Sequence, residues 1–251
     1  AIDIPSGLHP NTGRPLTRAI KADHTFTVLG FKAGLFTGLG KEYVGTVHLI
    51  DLIPKDDELK AIAQLSPDNI LLPQREAFGH KGSYGHVLVV GGQAEMGGAV
   101  MMAAESAFNS GAGKVTIVCH AKHHTAILAR SPNIMLKDIN VLSTIEIENL
   151  IEHVDAICFG MGLGRDDWAR QQYLNWFNAL NISDKHVVLD ADALWFLAQN
   201  PVQLSPQTYA TPHPGEAAIL LNLKTLEIES DRIKAIHSLQ MKGLTLLPYL
   251  Q

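Results

Sequence analysis

Short apolar runs rich in β-branched residues recur along most of the chain. From residue 86 onward, most of them are followed by a segment whose apolar positions have helical spacing. A short apolar run bounded by turn residues is typical of a buried strand. We predict strands at Thr25–Leu29, Val47–Ile50, His86–Val90, Lys114–Val118, Asp155–Phe159, His186–Leu189 and Thr208–Ala210.

The predicted helices alternate with the later strands. This alternation is typical of β-α-β units, so we predict an α/β fold with a mostly parallel sheet flanked by helices. The helices are predicted at Gly98–Asn109, Ala121–Arg130, Asp166–Leu180, Asp192–Gln199 and Pro214–Leu221.

Ligands of open parallel sheets bind in the loops at the carboxyl ends of the strands. Four loops of this chain follow predicted strands and contain glycine, carboxylate or histidine residues. They are Gly91–Ala99, Gly160–Gly164, Asp190–Ala193 and Thr211–Glu216. We therefore expect the chemistry of the protein to lie in these four loops.

A turn-rich, polar segment separates two parts of the chain. We predict that residues 1–65 belong to one domain, that residues 66–79 form a linker and that residues 80–251 belong to a second domain. The first residue, Ala1, lies in a strand-like segment, and another begins near Gly243. We therefore expect the chain to be a fragment that is truncated at both ends.

Composition excludes several classes of protein. The chain has 251 residues, of which 46% are hydrophobic and 18% charged, and a net charge of −5. This balance argues against intrinsic disorder, nucleic-acid binding and a polybasic membrane patch. Its two cysteines, Cys119 and Cys158, are too few for a disulfide framework and are interpreted as inert buried thiols. We expect a cytoplasmic protein, and a homo-oligomer is compatible with the sequence.

Two of the loops are rich in glycine. Gly91–Ala99 contains four glycines between a strand and a helix, without the lysine and hydroxyl residue of a Walker A loop. Gly160–Gly164 contains three and precedes the polar start of a helix. Each loop either binds an anion with its backbone N–H groups or allows helix and sheet to pack closely.

The other two loops carry titratable side chains. Asp190 and Asp192 follow a strand and either hold a magnesium ion or a phosphate, or, for Asp192, cap the next helix. His213 stands between two prolines at a strand end, with Glu216 in the first turn of the following helix. We interpret His213 as the histidine best placed for a ligand, and we interpret His120, His123 and His124 as solvated surface residues.

Six segments of the chain occur together and in order in a known family. They are Lys81–Gly92, Met96–Ala99, Gly111–Val115, Gly160–Gly164, Leu189–Ala193 and Thr211–Glu216. Residues 80–251 thereby resemble the NAD(P)H-hydrate dehydratase domain, which has a ribokinase-like fold. Ile2–Gly7 and Thr25–Gly38 look like the end of the NAD(P)H-hydrate epimerase domain, which precedes the dehydratase in bifunctional bacterial repair enzymes.

This resemblance implies a function in cofactor repair. The family's dehydratase uses ADP or ATP with Mg²⁺ to convert the S epimer of NAD(P)H hydrate back to NAD(P)H. Phosphorylation of the ring hydroxyl creates a good leaving group, and elimination follows. The epimerase, which requires K⁺, interconverts the two epimers.

The resemblance also assigns residues. Ala99 and His213 match positions that contact the hydrated dinucleotide, together with a glycine of the Gly160–Gly164 loop, for which Gly162 and Gly164 are preferred. In the epimerase part, Asp3 matches a substrate contact and Ser6 a potassium ligand.

The chain departs from the family pattern at about Gln240. The family continues into a strand ending in Lys-Gly-Ala or Lys-Gly-Gly, which helps to hold the nucleotide. A later Gly-Asp turn supplies the general-base aspartate. Neither element is present before Gln251, so we expect this chain alone to be impaired or inactive.

Two other functions are compatible with the residues. A ribokinase-like kinase of a vitamin alcohol shares the fold, but it is not expected to carry the epimerase segment or the Thr211–Glu216 motif. A non-catalytic protein that retains a dinucleotide pocket would bind the hydrate without turnover.

Overall fold

The computed structural model describes residues 1–53, 60–65 and 74–246, with side-chain burial given up to residue 244. Its strands are β1 (His24–Val28), β2 (Thr46–Ile50), β3 (His86–Val90), β4 (Lys114–Cys119), β5 (Met135–Asp138), β6 (Ala156–Phe159), β7 (His186–Leu189), β8 (Thr208–Ala210) and β9 (Thr245–Leu246).

Nine α-helices and three short 3₁₀ helices are present in the described residues. The α-helices are α1 (Lys41–Val44), α2 (Gly98–Asn109), α3 (His124–Arg130), α4 (Thr144–Glu152), α5 (Asp167–Ile182), α6 (Asp192–Gln199), α7 (Pro214–Leu221), α8 (Thr225–Ser230) and α9 (Arg232–Met241). The 3₁₀ helices are Ala33–Leu35, Lys81–Tyr84 and Ala121–His123.

Seven strands form one parallel sheet in the order β5-β4-β3-β6-β7-β8-β9. The chain moves outward from β3 to β5 on one side and then outward from β6 to β9 on the other. The direction of travel therefore reverses between β3 and β6, and ligands of such sheets bind outside the carboxyl ends of the strands at this reversal. The predicted parallel α/β fold is confirmed.

The central strands are buried on both faces. Leu88, Val89 and Val90 of β3 are inaccessible to solvent, as are Ile117 and Val118 of β4. A strand covered on both faces has no polar side to present, which explains the uninterrupted apolar runs of these segments. On one face, α2 packs through a cluster of buried residues that includes Val89, Val100, Ala104, Val115, Ile117 and Cys119.

The sequence patterns missed one strand and one helix between β4 and β6. β5 lies at the edge of the sheet and is partly exposed, so its residues Met135–Asp138 do not form an apolar run. A capping box, Ser143 with Glu146, is the sequence feature that could have predicted the start of α4. The N–H of Ser143 donates to the Glu146 carboxylate at 2.8 Å, and the N–H of Glu146 donates to the Ser143 hydroxyl at 3.4 Å. The predicted helix at Ala121–Arg130 is a 3₁₀ turn followed by α3.

The chain divides into two compact units. The first contains the described residues of Ala1–Ile70 together with Leu223–Ser238. The second contains the described residues of Leu71–Asn222 and of Leu239–Leu247. It includes the seven-stranded parallel sheet. The division into domains 1–65 and 80–251 stays a prediction, and residues 66–73 of the predicted linker lie outside the described part of the chain.

The first unit contains the parallel pair β1–β2. Ile2 makes a further parallel bridge to Phe26 of β1, so the N-terminal segment extends this small sheet. Leu8, Leu35 and Val44 form its buried cluster.

Candidate functional site

The turns that follow β3 and β6 are bonded to each other at the reversal of the sheet. The backbone N–H groups of Gly92 and Gln93 donate to the carbonyl oxygens of Met161 and Gly162, at 3.0 and 2.7 Å. A Cβ atom at Gly91 would lie 2.2 Å from the carbonyl oxygen of Met161. The glycines are thus required for this close approach.

Gly162 and Ala99 occupy different positions around these two turns. Gly162 has φ +60°, and a Cβ there would lie 2.4 Å from the carbonyl oxygen of Met96. Gly162 is half-buried, whereas Ala99 is exposed in the first turn of α2. Helix α2 therefore presents its N-terminal backbone beside the glycine turns, where an anionic group would be stabilised.

The turn after β6 is also bonded to the residues that follow β7, here through a side chain. The Asp192 carboxylate accepts from the N–H of Gly164 and from Nε of Arg165, both at 2.8 Å. A Cβ at Gly160, which has φ +120°, would lie 2.1 Å from the carbonyl oxygen of Asp190. Asp192 is the first residue of α6 and holds the neighbouring turn, and it does not cap its own helix.

Asp190 connects the turn after β7 to the turn after β8. Its Oδ1 accepts a hydrogen bond of 2.8 Å from the hydroxyl of Thr211. The next residue, Ala191, has φ +51°, a conformation that is costly for a residue with a Cβ. Backbone strain of this kind concentrates at functional sites, where the surrounding structure maintains it.

His213 and Glu216 form a capping box at the start of α7. Glu216 Oε2 accepts from the backbone N–H of His213 at 2.9 Å, and Nδ1 of the ring accepts from the N–H of Gly215 at 3.0 Å. Because Nδ1 is an acceptor, the neutral ring carries its proton on Nε2, which lies 3.3 Å from Glu216 Oε1. The ring is largely exposed, so this arrangement presents an oriented imidazole to solvent.

Burial raises the pKa of Glu216 above its ordinary value, and the nearby Asp190 acts in the same direction. The hydrogen bond from the N–H of His213, the His213 ring when it is protonated and the Arg165 guanidinium act in the opposite direction. The pKa of Glu216 thus responds to charged groups in the turns after β6 and β7 as well as in its own turn.

The four predicted loops form one continuous series of contacts along the carboxyl edge of the sheet. Gly162, Gly164, Asp190 and Asp192 take part in it directly. Ala99 belongs to the first turn of the series and His213 to the last. Whether these six residues bind a ligand stays a prediction.

Sequence reasoning missed several residues that hold the loops in place. The Gln93 side chain donates to Asp166 at 2.5 Å, and Arg165 and Thr211 make the bonds described above. Polar residues without a regular spacing give no signal from sequence alone.

The prediction that three histidines are solvated surface residues holds only in part. His120, His123 and His124 are all only partly exposed. Nε2 of His123 donates to the carbonyl oxygen of Gln93 at 2.8 Å, and its ring lies where a Cβ at Gly97 would be. His123 thus supports the turn after β3.

The carboxylates of these loops differ in their availability to a metal ion. Both oxygens of Asp192 are hydrogen-bonded, whereas Asp190 has a described partner on Oδ1 only. Among the described residues, no group of three or more histidine, cysteine, aspartate or glutamate side chains is arranged to hold a metal. These carboxylates therefore do not form a complete metal site by themselves. They fit Mg²⁺ that arrives with a nucleotide, because such an ion is commonly held by one or two carboxylates, by phosphate oxygens and by water.

The other two predicted site residues lie in the first unit. Asp3 has φ +65°, and its carboxylate accepts from Lys32, from the Thr27 hydroxyl at 3.3 Å and from the N–H of Val28 at 3.2 Å. The Lys32 ammonium lowers the pKa of Asp3. Ser6 is exposed, and its carbonyl oxygen accepts from the N–H of Ile20.

Both cysteines are free thiols with little reactivity. Burial raises the pKa of Cys119 to about 12 and that of Cys158 to about 11. Since the thiolate is the nucleophile, the interpretation of inert thiols agrees with the structure. In the described residues, every helix is too short or too polar to cross a membrane.

Comparison with family models supports the resemblance seen in the sequence. The model for NAD(P)H-hydrate dehydratase matches residues 87–246, and the model for the N-terminal part of YjeF-related proteins matches residues 1–34.

Curated relatives are bifunctional NAD(P)H-hydrate repair enzymes. The one from Vibrio cholerae is 40% identical over 252 residues, which cover 96% of this chain and 49% of the relative. The one from Coxiella burnetii is 37% identical over 248 residues, which cover 96% and 49%. The chain thus spans about half the length of the curated relatives it matches.

Solved structures share the fold over 70% of this chain. A ribokinase-like superfamily protein from Enterococcus faecalis has a TM-score of 0.62 and 27% identity, covering 70% of this chain and 61% of that one. An ADP/ATP-dependent NAD(P)H-hydrate dehydratase from Bacillus subtilis, crystallised with ATP and Mg²⁺, has a TM-score of 0.57 and 24% identity over 70% and 61%. At that identity, the second likeness shows the fold alone.

Proposed function

This chain belongs to the NAD(P)H-hydrate dehydratase family, and we propose that its strand-end loops bind NAD(P)H hydrate for nucleotide-dependent repair of the cofactor. The observation that carries this proposal is the continuous bonding of four turns at the reversal of a parallel sheet. Such an edge is where α/β proteins of this type bind dinucleotides and nucleotides.

The proposed roles follow from the position of each residue. Ala99 has only a methyl side chain at the start of α2, and Gly162 and Gly164 belong to the glycine turn after β6; their proposed role is to offer backbone to the ligand. His213 offers an exposed imidazole whose tautomer is set by Gly215 and Glu216.

Asp190 is the carboxylate best placed for a magnesium ion carried by ADP or ATP, because its second oxygen has no described partner. The Mg²⁺ would neutralise charge on the transferred phosphoryl group. Asp192 contributes indirectly, since its carboxylate holds Gly164 and Arg165 in place.

In the proposed reaction, the ring hydroxyl of the hydrate attacks the terminal phosphoryl group of the nucleotide. The hydroxyl proton passes to a base, an O–P bond forms, and the bond to the rest of the nucleotide breaks, which releases the shortened nucleotide. The phosphate then leaves with the former hydroxyl oxygen while the ring loses a proton, which restores the dihydronicotinamide. The residues described here would bind and orient the ring.

For the first unit, we propose that Asp3 and Ser6 belong to an epimerase site, with Asp3 as a substrate contact and Ser6 as a K⁺ ligand. The ion pair with Lys32 and the bonds from Thr27 and Val28 keep the Asp3 carboxylate charged and oriented. We also propose that the protein acts in the cytoplasm.

Calorimetric titration of the chain with the S epimer of NADPH hydrate tests the proposed function. We expect saturable binding that is stronger than the binding of NADPH itself. The same mixture with ATP or ADP then reports turnover through the near-ultraviolet absorbance of the restored dihydronicotinamide. Binding without turnover would agree both with the expectation that this chain alone is impaired and with a non-catalytic dinucleotide protein, whereas turnover would contradict both. Failure to bind, combined with phosphorylation of a vitamin alcohol, would replace the proposal by a ribokinase-like kinase.

A further inference from the structure

Arg165, which follows Gly164 in the turn after β6, is held at two points. Its Nε donates to Asp192 Oδ1 at 2.8 Å, and its guanidinium lies 5.4 Å from the centroid of the Trp195 ring. The side chain is 49% exposed, and neither Nη group has a hydrogen-bond partner among the residues that the structure describes. The outer edge of the guanidinium is therefore open.

The position of Arg165 connects it with two of the four turns. It belongs to the turn after β6, and it is anchored by Asp192, which follows the turn after β7 at the start of α6. The guanidinium thus lies along the proposed ligand site.

The carboxylates around Arg165 are largely engaged by other groups. Asp192 accepts from Gly164 as well as from Arg165, Asp190 accepts from Thr211, and Glu216 accepts from His213. The two outer amino groups of Arg165 therefore remain available to a ligand, since no described carboxylate accepts from them.

We propose that Arg165 binds a phosphate group of the NAD(P)H hydrate and so selects for dinucleotide substrates. The inference rests on the proposed function. A guanidinium has a planar fork of donors that matches the oxygens of a phosphate, and it makes two parallel hydrogen bonds to such a group. Because Asp192 and Trp195 already restrict the side chain, little conformational entropy is lost on binding.

Two phosphate sources fit this chemistry, and the choice of ligand distinguishes them. The pyrophosphate is common to the hydrates of NADH and NADPH, whereas the 2′-phosphate is present in the NADPH form alone. A contact with the pyrophosphate predicts equal losses for both hydrates when Arg165 is replaced. A contact with the 2′-phosphate predicts a loss for the NADPH hydrate only.

The test is calorimetric titration of the full chain with each hydrate. We compare the wild type with Arg165→Gln, Arg165→Lys and the matched control Arg170→Gln, an exposed arginine of α5. Loss of a charged, two-point hydrogen bond predicts that Arg165→Gln weakens binding about tenfold or more. Arg165→Lys should weaken binding less, and Arg170→Gln should leave it unchanged.

A purely structural role for Arg165 predicts a different result. If Arg165 only holds the turn through Asp192, then Arg165→Gln lowers the melting temperature without reducing the salt dependence of hydrate binding. Our proposal predicts a smaller salt dependence, because a cation in contact with phosphate has been removed. If the glutamine variant is unstable, Arg165→Lys replaces it: this variant keeps the charge but loses the planar fork, so our proposal predicts weaker hydrate binding with an unchanged salt dependence.

The outcomes separate this inference from the proposed function. Binding by the wild type with unchanged affinity in both Arg165 variants overturns the role of Arg165 alone. A titration of the same variants with ATP or ADP serves as a further comparison. If replacing Arg165 weakens the binding of ATP or ADP but not of the hydrates, the role of Arg165 is also overturned, since the phosphate it contacts would then belong to the nucleotide. Absence of hydrate binding by the wild type overturns the proposed function and this inference together.

Discussion

At the scale of single residues, the site depends on side chains that bond across from one turn to the next. The strand-end positions of Asp190, Asp192 and His213 could be predicted from sequence, because apolar runs end just before their loops. Their partners could not be predicted. Asp192 bonds to a turn 28 residues away in the chain, and no local pattern indicates such a contact.

We predict that Asp192→Ala destabilises the second unit. The buried N–H of Gly164 would lose its acceptor, and such a loss at a charged group costs about 1–3 kcal/mol. The free energy of unfolding in urea measures the effect. The matched control is Asp184→Ala, whose side chain is 88% exposed and which should change stability by less than about 0.5 kcal/mol. Equal effects of the two substitutions would contradict the role of Asp192.

Glu216 makes stability depend on pH in a predictable direction. Its folded-state pKa is raised by burial, so the folded state disfavours the ionised form. The stability that the neutral carboxyl contributes is complete below the ordinary pKa of 4.5 and is lost as pH rises through the folded-state value.

Glu216→Gln removes this ionisation while keeping an oxygen that can accept from the N–H of His213. We therefore expect the variant to gain stability relative to the wild type as pH rises above 4.5. Urea unfolding at several pH values measures the difference. A difference that stays constant or moves in the opposite direction would disprove the assignment.

At the scale of elements, sequence patterns predicted the strands and helices that are most buried. The predicted bounds of β3, β7, α2 and α6 agree with the structure, because burial on both faces or on one helix stripe leaves a clear apolar pattern. The edge strand β5 was missed because it is partly exposed. The turns themselves were predicted from their glycines, and the structure adds why those glycines are needed.

We predict that Gly160→Ala strongly destabilises the protein. A Cβ there would lie 2.1 Å from the backbone oxygen of Asp190, and the residue has φ +120°, so the turns after β6 and β7 would have to separate. The expected loss is about 2 kcal/mol or more.

The matched control is Gly98→Ala, at the first position of α2, where a Cβ meets nothing within 4 Å. Alanine in that helical position should be neutral or stabilising by about 0.5–1 kcal/mol. Thermal unfolding of both variants measures the contrast. A Gly160→Ala protein as stable as the wild type would show that the two turns are not closely packed.

At the scale of the whole molecule, the order of the strands explains why four loops that are distant in sequence share one edge. All seven strands of the sheet are parallel, so every strand-to-helix turn lies at the same end. The reversal between β3 and β6 then brings the two glycine turns together. This order could not be read from the sequence, since the pattern of each strand indicates its burial but not its neighbour.

Amide hydrogen exchange with and without the S epimer of NADPH hydrate tests the shared site most directly. We expect ligand to slow exchange in the segments 91–99, 160–165, 190–193 and 211–216 together, because one molecule would contact turns that are already bonded to one another. Protection confined to one of these segments, or located elsewhere in the chain while these four stay unchanged, would contradict the account.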